Sequence, residues 1–150
     1  RRTIFMVDDK FYVILDEAYG SAAGTVNLNF NITEGTDAQV VYDTSEGGFH
    51  TAFADGNNLL VRTRASKSGA YVQKTGFVSY NINQTAERKA YQLNLEKTDE
   101  PVVRYATVLL PTSDASAEEV SITLGDWSET GGSVRVQVGG GSYPALAYTL

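Results

Sequence analysis

The sequence predicts an all-β fold, an antiparallel β-sandwich of about ten to twelve short strands. Three observations carry this. Apolar residues recur with a period of two, turn residues punctuate them at short intervals, and no segment shows a convincing helical stripe. Ala115 to Val120 offers at most one helical turn.

Taken in order, Ile4–Val7 and Phe11–Leu15 are apolar runs separated by Asp8-Asp9-Lys10, a gap of hairpin length. Val26, Leu28, Phe30 and Ile32 alternate with Asn27, Asn29 and Asn31, so the apolar set takes one sheet face and the amides the other. Tyr91, Leu93 and Leu95 alternate with Gln92, Asn94 and Glu96 in the same way. So do Val120, Ile122 and Leu124, and then Val134, Val136 and Val138. Phe11–Leu15 and Val108–Leu110 are apolar throughout and read as central strands covered on both faces. Gly20, Gly24, Gly35, Gly47-Gly48, Asp55-Gly56, Gly69, Gly131-Gly132 and Gly139-Gly140-Gly141 mark the other connections. With no internal repeat or long linker, residues 1–150 are expected to form a single domain.

Composition narrows the function. The absence of cysteine excludes disulfides and thiolate zinc sites. No apolar run reaches the roughly 18 residues of a membrane-spanning helix, and no membrane partner is expected. The net charge of −6 repels polyanions at long range, so nucleic acid is not expected either. That charge is unevenly spread. Nine acids oppose Lys10 between Asp8 and Val61, whereas eight bases oppose four acids between Arg62 and Arg104. A basic middle inside an acidic chain can be a solvated mixed surface, or it can meet an anionic ligand. The opening Arg1-Arg2-Thr3, which leads straight into an apolar run, reads as an internal cut from a longer polypeptide.

Catalytic chemistry has few candidates. With one histidine, His50, sites needing two are impossible, and the G-x-S-x-G elbow is missing. Asp8-Asp9 and Asp16-Glu17 lack calcium-loop spacing and read as turn formers and solvated strand ends. Gly139-Gly140-Gly141-Ser142 follows a strand but precedes Tyr143-Pro144 and not a helix, which makes a weak phosphate cradle. Asn31-Ile32-Thr33 and Asn83-Gln84-Thr85 match the N-glycosylation pattern, which matters only in a eukaryotic secretory protein. No catalytic residue, metal site or cofactor is assigned to this chain.

Three stretches together resemble a known family. Arg1-Arg2-Thr3-Ile4-Phe5-Met6-Val7 followed by Phe11-Tyr12-Val13-Ile14-Leu15-Asp16-Glu17 is similar to a hairpin in heparinase II/III-like polysaccharide lyases. Gly76-Phe77-Val78-Ser79-Tyr80 with Arg88-Lys89-Ala90-Tyr91 is similar to a second segment, and Arg104 to Pro111 to a third. The resemblance is strongest to bacterial heparinase III-type heparan-sulfate lyases. It implies a C-terminal β-sandwich attached to an N-terminal α/α toroid of the same parent chain, in a secreted or periplasmic bacterial protein. Such enzymes cut acidic polysaccharides by β-elimination: a base takes a proton from a uronate whose carboxylate is neutralised, and an acid protonates the leaving oxygen. The resemblance puts the Asn and Tyr of that chemistry in the toroid, and a catalytic His upstream of the double-Arg strand. His50 does not match that motif. Tyr80 and Arg88 match family positions, and the resemblance assigns neither of them a catalytic role.

The expectation is therefore an accessory C-terminal domain that braces the toroid and forms one wall of the substrate cleft. Arg62, Arg64, Arg88 and Arg104, with His50, are the candidate substrate-binding residues, because guanidinium groups contact sulfate or carboxylate bidentately. Lys67, Lys74 and Lys89 complete the basic set. Arg62 and Arg64, two apart on one strand, share a face; the others join it only if their strands are neighbours. Two rival readings are a free-standing carbohydrate-binding module, which needs exposed coplanar aromatics, and a purely structural β domain.

Overall fold

The computed structural model describes residues 1–32, 39–43, 45, 47–114 and 118–150. The short turn considered near Ala115, the turn at Gly35 and the sequon's Thr33 lie outside these. The strands are β1 (Arg2–Val7), β2 (Phe11–Tyr19), β3 (Gly24–Asn31), β4 (Val40–Asp43), β5 (Gly48–Thr51), β6 (Asn58–Ala65), β7 (Ala70–Asn81), β8 (Gln84–Lys97), β9 (Val102–Thr112), β10 (Val120–Ser128), β11 (Gly131–Val138), β12 (Gly141–Ser142) and β13 (Leu146–Thr149).

Three antiparallel sheets result. A six-stranded sheet runs β1-β2-β9-β6-β5-β4, a four-stranded sheet joins β10, β11, β12 and β13, and a three-stranded sheet runs β3-β8-β7. The six-stranded sheet is the middle layer, as the alternation along β9 shows. Ala106, Val108 and Leu110 enter a core with Val134, Val136 and Val138 of the four-stranded sheet. Val103 and Tyr105 point the other way, into a core with Leu28, Leu93 and Leu95 of the three-stranded sheet. A third cluster, Val40, Phe49, Val61 and Tyr91, continues that second interface toward β4 and β5. Period two on a doubly covered strand thus builds two cores from one segment.

The expectation of double coverage holds for β9 and is corrected for β2. Phe11, Val13 and Leu15 are buried, yet Tyr12 on the opposite face is exposed and Ile14 only half-buried. Burial needs a covering layer, and the three-stranded sheet reaches β2 only near Ala18.

Turn chemistry follows the sequence closely. Asp8 and Asp9 adopt φ of 49° and 54°, and the Lys10 amide donates to the Val7 carbonyl at 2.9 Å, the geometry of a type I′ hairpin turn. Gly139 and Gly140, at φ of 55° and 78°, turn β11 into β12 in the same way. The glycine run is therefore a hairpin turn.

Candidate functional site

A cleft of about 1110 Å³ opens where β6 and β9 of the middle sheet face β10. Arg62, Arg64, Lys67 and Arg104 line it, opposite Thr123 and Trp127. Register explains the convergence. Arg62 and Arg64 share a face of β6, and Arg64 pairs with Ala106 of β9, two residues from Arg104 and on its face. The Ser66 amide donates to the Arg104 carbonyl at 2.9 Å, and the Ser66 hydroxyl accepts from the Arg104 amide at 3.0 Å. This locks the loop carrying Lys67 against β9.

The four cations are not equivalent. Arg104 is 4% exposed, and its guanidinium donates to the carbonyls of Gly125 and Asp126 at 2.8 and 3.1 Å. Those carbonyls sit where the β10–β11 register breaks between Leu124 and Trp127, so the arginine satisfies acceptors that the bulge releases. Burial lowers the pKa of Arg104. Arg62, 5% exposed, donates to the Val61 carbonyl at 3.2 Å and lies 3.7 Å from a carboxylate oxygen of Asp43. Asp43 pairs with Gly48, and Gly48 with Arg62, so the bare glycine lies between the two charges. A Cβ at Gly48 would fall 1.9 Å from the Val61 carbonyl oxygen. Gly48→Ala is therefore expected to destabilise the chain by about 1–3 kcal/mol in urea titration; an unchanged midpoint would show that the strands separate freely there.

Lys67 is engaged at the rim by Glu100 and by the Glu96 carbonyl. Its hydrogen bond holds the Glu100 carboxyl far below the usual carboxylate range. Arg64 differs: it is exposed, and no ion pair engages it among the described residues.

The remaining candidates are elsewhere. Arg88 lies on the β7–β8 hairpin, its guanidinium 5.5 Å from the Tyr80 ring centroid and donating to the Glu87 carbonyl at 2.8 Å. The Lys89 ammonium sits 5.2 Å from the Tyr42 ring centroid, on the same hairpin. Convergence of Arg88 with the other arginines is thus corrected, because β8 belongs to the three-stranded sheet while the cleft opens toward the four-stranded one. His50, on β5, is half-buried and does not line the cleft. Burial first, then the charge of Arg62, pushes its pKa below the ordinary value.

Sequence reasoning missed Glu17. Its side chain is fully buried, against the expected solvated strand end, because it follows Phe11, Val13 and Leu15 on the inward face of β2. The carboxylate accepts from Arg1 Nε at 2.7 Å and from the Tyr148 hydroxyl. The Arg1 guanidinium also caps the Ser128 and Glu129 carbonyls and lies 4.8 Å from the Tyr148 ring centroid. Burial, reinforced by Glu17, pushes the Tyr148 phenol up to about 12. The only sequence signal was a carboxylate in phase with three apolar residues. Among the described residues no group of three or more His, Asp or Glu could hold a metal.

Fold and cleft together define a class: a three-layer antiparallel β domain with a basic cleft at one side. No family model matches the sequence. A heparin-sulfate lyase of Bacteroides thetaiotaomicron is 40% identical over 100% of this chain, which spans 22% of that protein. A heparin-sulfate lyase of Pedobacter heparinus is 25% identical over 81% of the chain, 18% of its own length. The crystal structure of heparinase III superposes with a TM-score of 0.94 at 39% identity, covering 99% of this chain and 23% of that one. Over its full length the chain corresponds to one part of these heparin-sulfate lyases, an all-β domain about a fifth as long as the relatives it matches.

Proposed function

We propose that this chain is the accessory C-terminal β domain of an exported bacterial polysaccharide lyase. It braces the catalytic toroid, and its cleft meets a sulfated or carboxylated uronate chain. The reading rests on the family and on one observation: Arg64 stands exposed in a basic cleft whose other cations are already engaged. Arg62 and Arg104 hold the scaffold, Lys67 stiffens the rim, and Arg64 is left to reach an anion. A guanidinium can take a sulfate or carboxylate through two parallel hydrogen bonds.

The test is calorimetric titration of the chain with sulfated and unsulfated uronate oligosaccharides. Binding is expected to be weak, with a Kd on the order of millimolar, since one wall of a cleft orders its ligand poorly. Affinity should fall as ionic strength rises, because exposed charges are screened beyond about 8 Å in physiological salt. Arg64→Ala should weaken binding about tenfold, the loss of one charge-assisted pair, and the chain alone should form no unsaturated uronate. Sulfate-independent binding, indifference to Arg64→Ala, or turnover by the isolated chain would overturn the reading.

A further inference from the structure

Among the described residues, the middle sheet is left uncovered on one face of β1 and β2. On the side facing the three-stranded sheet, β1 and β2 present Ile4, Met6 and Tyr12, exposed by 59%, 57% and 41%, with half-buried Ile14 among them. Register makes these one patch: Ile4 pairs with Ile14, and Met6 with Tyr12. Arg2 closes one end through a two-pronged pair with Asp16, at 2.7 and 2.9 Å. The opposite face of the same strands is buried through Val7, Phe11, Val13 and Leu15. Among the described residues, β1 is also an edge strand, pairing with β2 alone. Its sequence carries no proline, and no charge lies between Arg2 and Asp8, so it lacks the usual protection against pairing.

We propose that this face is the seat on which the remaining polypeptide of the full-length lyase packs, covering Ile4, Met6, Tyr12 and Ile14. The inference rests on the reading that this chain is one domain of a longer lyase. Two arguments select this occupant. Relatives similar over the whole of this chain are several times longer, so a large body of polypeptide is tethered to the domain. Four apolar side chains also make a small patch, whereas a stable contact between free partners buries about 800 Å² on each. A second copy would have to be held by too little surface. A tethered segment is presented at an effective concentration in the millimolar range and needs no such area.

Met6 is the only methionine of the chain and sits at the hairpin end of the patch, paired with Tyr12 and 57% exposed, so it reports coverage there directly. Peroxide oxidation, followed by mass spectrometry of the Met6 peptide, should be fast in the chain alone. In the full-length lyase it should be at least about tenfold slower, since thioether oxidation follows exposure. Ile4→Lys should leave the urea midpoint of the chain alone nearly unchanged, yet restore rapid Met6 oxidation in the full-length protein. Equal oxidation rates in the two proteins would overturn the proposal. So would a dimer of the chain alone that Ile4→Lys dissociates, because a second copy would then own the face. If the polypeptide isolated from its source is no longer than this chain, the domain reading itself fails. If it is longer and Met6 stays reactive, only the seat fails.

Discussion

Glu17→Ala is expected to cost about 1.5–3 kcal/mol, because it removes a fully buried carboxylate that accepts charge-assisted hydrogen bonds from a partly buried partner. The carboxylate is the acceptor for both Arg1 and Tyr148, and through them it ties β2 to the Ser128–Glu129 carbonyls and to β13. Without it the Arg1 guanidinium, at 11% side-chain exposure, loses its counter-charge. The comparison lies one residue away. Asp16 pairs with Arg2 on the other face of the same strand, where the arginine is largely exposed. Asp16→Ala should cost no more than about 1 kcal/mol, the usual worth of a surface pair. Glu17→Gln should fall between, since an amide keeps one acceptor but loses the charge. Urea titrations of the three variants decide it. Equal losses at positions 16 and 17 would mean that Glu17 is not buried as described.

Phe11→Ala is expected to cost a further about 3–5 kcal/mol by a different mechanism, a cavity in the core between the middle and four-stranded sheets. The ring is buried against Val13-face neighbours and meets the edge of Tyr143 with centroids 4.9 Å apart and planes at 80°. Such edge contacts add about 0.5–1.5 kcal/mol beyond burial. Tyr12→Ala, on the uncovered face, should cost under about 1 kcal/mol in the chain alone. The slope of the urea transition should stay constant if only stability changes. A Tyr12 variant as damaging as the Phe11 variant would reverse the assignment of faces on β2.

The relation of these two residues shows what a linear pattern can carry. Alternation separates the faces of a strand, so Val26, Leu28, Phe30 and Ile32 were legible as one inward set, and Asn27, Asn29 and Asn31 as the other. The turns were legible too, since Asp8-Asp9 and Gly139-Gly140 have the residues that a left-handed backbone tolerates. An uninterrupted apolar run is ambiguous, however. In β9 it means two covers, and in β2 it means one cover and one open face.

The candidate site was legible only in outline. The surplus of bases between Arg62 and Arg104 was visible, as was the shared face of Arg62 and Arg64. Which bases converge depended on strand neighbours, because β9 lies beside β6 while β8 lies in another sheet. Whether a convergent base is available depended on carbonyls and carboxylates distant in sequence, such as Gly125 and Asp126 for Arg104.

By itself, then, the sequence determined the all-β class, the strand faces, the hairpin turns and the kinship to heparinase-type lyases, all properties of local alternation, turn chemistry and motif order. Tertiary structure alone decided the layering into three sheets, the burial of Glu17, the engagement of Arg62 and Arg104 as scaffold, and the exposure of Ile4 and Met6. Those depend on which strands become neighbours and which faces receive a cover. Hydrogen-bond partners and excluded water are set across the fold, between residues as far apart as Glu17 and Tyr148, and no local pattern encodes them.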